Sequence, residues 1–426
     1  MGRRLQWCGV RADVLIHNTS EILTCAGPAP RCGSAQRNAG AIERGVVAAA
    51  NGRIVFVGSE REWRERGSLE PNSLVIDAAG GAVVPGFVDA HTHAVFAGDR
   101  RGELRRRLGG ETYAQIAAEG GGIVGTVRAT RDASDTAIVA DTRRRLEETI
   151  ACGTTTCEVK SGYGLSTDSE LKLLRAIRTL ADEMRDRVEI VPTFMGAHEI
   201  PAEYRDRRRV YVDTLVQEMI PAVATQRLAE WCDVFCETGV FTPEESREIL
   251  AAAHDAGLKL RIHADELGLS GGSRVAADLR VRSADHLIFV DEAGADALAA
   301  AGVVATLLPI ASFYLKIGRF APARMLIDRG VPVALATDVN PGAGFSPSMP
   351  FAIALACFAM GLTFEEAIVA ATLNSSYSLD RHDTVGSLEV GKQMDAVVVN
   401  GPAIDLIRVG VRTIRCVIKK GSVVSC

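Results

Sequence analysis

The chain is short of the features that tie a protein to a particular surrounding. Its ten cysteines, at positions 8, 25, 32, 152, 157, 232, 236, 357, 416 and 426, contain no Cys-x-x-Cys pair. That excludes the usual spacing of a structural zinc knuckle or a dithiol redox site. Scattered thiols without a framework predict a reducing compartment. The first residues, MGRRLQWCGVRADVLIHN, lack the apolar core of roughly 7–15 residues that a secretion signal needs, and no run is long and apolar enough to span a bilayer. Basic excess is also missing: 48 Lys and Arg face 53 Asp and Glu, a net charge of -5, so no nucleic-acid partner is expected. The one arginine cluster, Arg100–Arg101 with Arg105–Arg107, is local and reads equally as a solvated face. No Gly-x-Gly-x-x-Gly turn follows an early strand, which weakens an open nucleotide-binding sheet. These absences leave a cytoplasmic protein that acts on a small molecule, with neither a membrane nor a nucleic acid as partner.

What is present divides into two styles. Residues 12–24 and 45–60 read as short β runs, the second folded about Asn51-Gly52, a dipeptide that tolerates positive φ in a tight hairpin. Residues 395–401 and 411–425 read the same way. Both ends are therefore expected to pair into one small β-sandwich-like domain, residues 1–82 with 377–426. Between them, strands expected at 83–89, 155–159, 189–194, 231–236, 259–263, 282–287, 303–308 and 333–337 alternate with helices such as 134–151 and 242–257. In the latter, Thr242 and Glu245 make a capping box and Gly257 marks the stop. Eight such units argue for a (β/α)8 barrel over residues 83–376, a fold that takes about 250 residues.

A barrel concentrates its chemistry at the C-terminal ends of its strands. Of eight histidines in the chain, five fall there: His91, His93, His198, His263 and His286. His91 and His93 alternate along the first strand, so both imidazoles face one way, together with Asp89. With His263 at the end of strand five and Asp338 at the end of strand eight, they make a site for one divalent metal, whose open position lowers the pKa of a bound water to roughly 7. Asp338 either ligates or holds the water. Glu266, three residues after His263, is the candidate acid/base; its bland alternative is a helix-start carboxylate. His286 orients the water, stabilises developing charge, or serves only as a hydrogen-bond donor behind the ligands.

The motifs around these positions are specific. PGFVDAHTH (85–93), FAGDR (96–100), GGGI (120–123), EVKSGYGL (158–165), FMGAH (194–198), DVFCETGVF (233–241), HADE (263–266), SADHL (283–287), LATDVNPG (335–342) and GSLEVGKQMDAVVV (386–399) resemble the amidohydrolase superfamily and, within it, the imidazolonepropionase family. The resemblance runs from about residue 45 to the end. It implies hydrolysis of a ring C–N bond, that of 4-imidazolone-5-propanoate, to N-formimidoyl-L-glutamate in histidine degradation. It implies one metal per chain, zinc or iron. It places Arg100, Tyr163 and His198 against the substrate, with Asn340 and Gly342 nearby and Tyr113 a further candidate. Arg100 is then the cation for the propionate arm, because a planar guanidinium meets a carboxylate with two parallel hydrogen bonds. Strand four ends in Glu237 without a lysine, unlike the binuclear members, so one metal is expected. Ala343 stands where many members carry Ser or Thr, and the loop 311–322 departs from the family pattern; both bear on substrate preference. The assembly expected, if the chain is not a monomer, is a homodimer. Two other readings stay open: a deaminase of a nitrogen heterocycle, which releases ammonia, and a non-catalytic binding scaffold, which ought to have lost metal ligands.

Overall fold

Three sheets organise the chain. The structure is a computed structural model that describes residues 9–111, 115–116 and 119–426. An eight-stranded parallel sheet runs in sequence order through Phe87–Asp89, Thr154–Lys160, Glu189–Ala197, Trp231–Cys236, Lys259–Ala264, Ser283–His286, Val304–Leu307 and Val333–Leu335. Each strand pairs in parallel with the next. The ring closes just past the last strand. There Asp338 N donates to His91 O at 3.0 Å and His93 N to Val339 O at 2.8 Å. The Asp89 carboxylate clamps the same seam, accepting from Thr337 N at 2.9 Å and Thr337 Oγ1 at 2.5 Å. Asp89 thus points at strand eight and closes the barrel instead of joining the imidazoles.

Helices alternate with the strands because each connecting segment carries its own start and stop signals. Thr242 and Glu245 form the expected capping box at the head of Pro243–Asp255, a device whose cap alone contributes about 1 kcal/mol. The chain leaves that helix through Gly257 at φ +86°. Ser134 caps Asp135–Ala151 by its hydroxyl alone, which accepts from Ala137 N at 3.2 Å. Among the described residues no helix is long and apolar enough to cross a membrane.

The two remaining sheets lie on the chain ends. One holds Arg53–Ser59, Gly45–Ala50, Val10–His17 and Gly67–Asp77 in that order. Its hairpin turns at Asn51 (φ +53°) and Gly52 (φ +74°), the pair of positive φ values that a two-residue loop requires. The other orders Ser422–Ser425, Ile414–Lys419, Ala396–Val399, Val83–Pro85, Glu21–Leu23 and Ala41–Glu43. Ile16, Val47 and Ile54 of the first meet Val83, Val398 and Ile418 of the second in one buried core, so the ends form a β-sandwich. The strand expected at 83–89 is in fact two. Val83–Pro85 belongs to the end sheet, and Phe87–Asp89 opens the barrel. Gly86 is the switch: its N–H donates to Asp395 O at 2.9 Å, and a Cβ there would overlap the Thr155 side chain. A continuous apolar run conceals such a change of partner, since both halves are equally buried.

Candidate active site

At the barrel mouth the backbone turns sharply out of the strands. Asp265, His286, Leu287 and Asp338 all take positive φ, between +51° and +73°. Asp and His are among the side chains that tolerate the left-handed region, whereas Leu there stores strain of order 1–3 kcal/mol. The turns aim strand-end side chains into one cavity of about 210 Å³.

Four donors converge at its floor. His93 Nε2 lies 3.2 Å from His91 Nε2 and 3.2 Å from His263 Nε2. Asp338 Oδ1 stands 3.6 Å from His91 Nε2 and 3.7 Å from His93 Nε2. The other ring nitrogens decide what these contacts are. His91 Nδ1 donates to Asp285 Oδ2 at 2.6 Å, and His263 Nδ1 to Asp233 Oδ1 at 3.0 Å. Both Nε2 atoms therefore carry bare lone pairs. A proton on His93 Nε2 can serve only one of them. Burial, reinforced by Lys160 for His91 and by His198 for His93, holds both imidazoles well below their ordinary pKa, so they stay neutral. Asp338 Oδ1 is buried without a hydrogen-bond partner among the described residues. Lone pairs aimed at one point are explained by a cation. A tetrahedral ion with metal–nitrogen bonds of about 2.0–2.1 Å sets its nitrogens ~3.3 Å apart, close to the spacing observed. The donor set fits a divalent metal ion.

Around this floor lie the other expected residues. Glu266 is buried, and that burial, with the Glu237 carboxylate nearby, pushes its pKa up to about 8. Its backbone N–H is held by Glu237 Oε2 at 3.0 Å. His286 Nδ1 stands 3.5 Å from Glu266 Oε1. His198 stacks on His93, ring centroids 4.8 Å apart, and its Nδ1 donates to Gly162 O at 3.0 Å; burial takes its pKa down to about 3. Tyr163 packs beside it at 5.1 Å. Gly162, at φ +106°, presents that carbonyl, and the buried Glu170 carboxylate ties the loop by accepting from Gly162 N, Gly164 N and Leu165 N at 2.7–3.2 Å.

Arg100 faces the same cavity. Its Nε donates to Glu103 Oε2 at 2.7 Å, and its guanidinium lies where a Cβ on Gly342 would sit. Asn340 also lines the cavity, yet its amide is used by its own loop: Nδ2 donates to Asp338 O at 2.8 Å, and Oδ1 accepts from Gly342 N at 2.8 Å and Ala343 N at 2.6 Å. Ala343 completes the wall with Leu315 and Ile317 of the segment 311–322, whose first residues are the end of a helix, Pro309–Leu315, and not a loop. Tyr113 lies outside the described residues.

Sequence reasoning missed the layer beneath. Glu158, Lys160, Asp233, Arg261 and Asp285 are all fully buried. Their signal was present: Glu158/Lys160, Arg261/His263 and Ser283/Asp285 each sit two apart on otherwise apolar strands, so each pair faces the barrel interior.

A barrel with three imidazoles and a carboxylate at its mouth is the framework of a metal-dependent hydrolase. The family model for the amidohydrolase family matches residues 82–424, and the chain belongs to that family. Within it, the chain falls among the imidazolonepropionases. One from Symbiobacterium thermophilum is 50% identical over 391 residues, 92% of this chain and 91% of its own. Another, from Alkaliphilus metalliredigens, is 46% identical over 415 residues, 97% of this chain and 98% of its own. Among solved structures, a triazine hydrolase from Arthrobacter aurescens superposes with a TM-score of 0.73 at 19% identity, covering 96% of this chain and 94% of that one. A zinc-bound adenosine deaminase from Xanthomonas campestris superposes at 0.70 and 18% identity, covering 97% and 93%. These two likenesses concern the fold alone.

Proposed function

We propose that the chain hydrolyses the ring C–N amide bond of 4-imidazolone-5-propanoate to give N-formimidoyl-L-glutamate, a step of histidine degradation. The observation that carries the reading is the cluster of bare Nε2 atoms beside Glu266, in a chain 42–50% identical to imidazolonepropionases over nearly its whole length. His91, His93, His263 and Asp338 hold one divalent ion, zinc or iron. When bound, such an ion lowers the pKa of water and polarises a carbonyl oxygen. The remaining work belongs to the chain. Glu266 Oε accepts a proton from the attacking water and returns it to the leaving ring nitrogen; a carboxylate with pKa near neutrality suits both transfers. His286, beside Glu266, holds the oxygen that gains negative charge. His198 and Tyr163 flank the ring, and Arg100 meets the propionate arm. Asn340 and Gly342 act by shaping the wall, since the amide of Asn340 is consumed within its loop. Tyr113 is retained as a substrate contact.

The same reading takes residues 1–82 with 377–426 as a small composite domain and 83–376 as the catalytic barrel, in a cytoplasmic protein that, where it assembles, does so as a homodimer and binds neither nucleic acid nor membrane. The test is product analysis on freshly made imidazolone propionate with metal-replete protein. Ring opening without ammonia supports the proposal. Stoichiometric ammonia makes the protein a deaminase, and full metal occupancy without turnover makes it a scaffold.

A further inference from the structure

Beneath the metal-binding residues sits a closed set of charges that the reaction does not touch. Three carboxylates, Glu158, Asp233 and Asp285, and two cations, Lys160 and Arg261, are all fully buried. Lys160 Nζ lies 2.6 Å from Glu158 Oε2 and 2.6 Å from Asp233 Oδ2, and 3.9 Å from Asp285 Oδ2. Arg261 lies 3.2 Å from both Glu158 Oε1 and Asp285 Oδ2. The two acids that matter to the imidazoles are thus each held twice. Asp233 accepts from the ammonium at Oδ2 and from His263 Nδ1 at Oδ1; Asp285 accepts from Arg261 and His91 at Oδ2, and from Ser283 Oγ at Oδ1, 2.5 Å away.

One further geometric fact concerns this layer. His91, Asp233 and Asp285 place ligand-type atoms within 4.8 Å of one another, a spacing that can itself hold a cation. The Lys160 ammonium stands against that group, so the positive charge there is covalently supplied.

Resting on the metal site proposed above, we infer that Lys160 is a positioning residue: its buried ammonium supplies the second cation of this site and, by fixing Asp233, aims His263 Nε2 at the metal. Buried carboxylates left unpaired are strongly unfavourable, so without the ammonium Asp233 turns toward another donor, and the hold on His263 Nδ1 is lost. Lysine acts here as a compact point charge on a long stem. No bidentate geometry is asked of it.

The experiment compares divalent-metal affinity, by chelator competition with zinc, in four full-length chains: the parent, Lys160→Met, Asp233→Asn and the double variant. Lys160→Met keeps the stem's bulk and removes the charge. Its zinc affinity falls roughly 10–100-fold, the usual cost of losing a group that orients a ligand. Asp233→Asn retains an acceptor for His263 and needs no counter-charge. The double variant therefore binds zinc within about twofold of Asp233→Asn alone, since the lysine acts through that aspartate. Circular dichroism of the metal-free chains tracks folding separately. Should Lys160→Met fail to fold, the comparison of the double variant with Asp233→Asn decides the matter. Parental zinc affinity in a folded Lys160→Met, or a further tenfold loss in the double variant, overturns the inference while leaving the metal site intact. A parent that binds no stoichiometric divalent metal defeats the metal site itself.

Discussion

Glu266→Gln in the metal-free chain separates burial from catalysis. In the folded protein this carboxyl is buried with Glu237 nearby, which moves its pKa from 4.5 to about 8. The sign follows from linkage. Below pH 4.5 the group is protonated whether the chain is folded or not, and nothing is lost. Between pH 4.5 and about 8 the unfolded chain releases a proton that the folded chain keeps, so stability falls with rising pH. Above about 8 both forms are ionised and the loss is complete. Each pH unit of displacement is worth about 1.4 kcal/mol, which puts the full penalty on the order of a few kcal/mol. Glutamine has the same shape and no charge, so the variant escapes it. Chelator-treated parent and variant are compared by thermal unfolding at pH 4, 6, 7.5 and 9. The two coincide at pH 4. The variant then gains on the parent as pH rises and the gap levels off above about 8. Restoring a divalent ion narrows the gap, because a nearby positive charge favours the ionised carboxylate. A gap that is constant with pH, or one that opens only below pH 4.5, refutes the burial argument.

Four other outcomes are expected. In metal-loaded protein, Glu266→Gln lowers kcat by about 10²–10⁴ with metal content unchanged; steady-state kinetics with elemental analysis checks it, and a near-parental rate leaves Glu266 a buried carboxyl with no part in proton transfer, since the next helix starts only at Gly272. His91→Ala combined with His93→Ala abolishes stoichiometric metal in the purified protein, and retained metal counts against the four-residue site. Arg100→Met lowers kcat/KM roughly ten- to hundredfold, whereas Arg101→Met, whose guanidinium is exposed and paired with Asp99, changes little; equal behaviour of the two rules out the clamp. Glu170→Gln, finally, leaves N–H groups of Gly162, Gly164 and Leu165 short of an acceptor, at about 1–3 kcal/mol for each one stranded. A lowered urea midpoint accompanied by a raised KM is the expected signature, since Tyr163 and the carbonyl that orients His198 ride on that loop.

Local chemistry was enough to place much of this protein. Asn51-Gly52 determines a hairpin because few other dipeptides accept two positive φ values. Thr242 and Glu245 start a helix wherever they lie ahead of an apolar face. The alternation of His91 and His93 follows from the pleat of a strand, and the eight strand–helix units follow from period alone. Hence the barrel, the sandwich of chain ends and the four residues proposed to hold the metal were legible before any coordinates. Distance along the chain hid the rest. Whether Val83–Pro85 joined the barrel or the sandwich depended on Gly86 passing Thr155, a contact that no local pattern encodes. Asp89 shares a strand face with His91, but Thr337, from the far end of the barrel, draws its carboxylate into the closing seam. Asp233, Asp285 and Lys160 come from three strands and acquire meaning only when the ring brings their charges within hydrogen-bonding range. A charge's partner is set by three-dimensional proximity in a low-dielectric interior, and for this site only the closed barrel determines it.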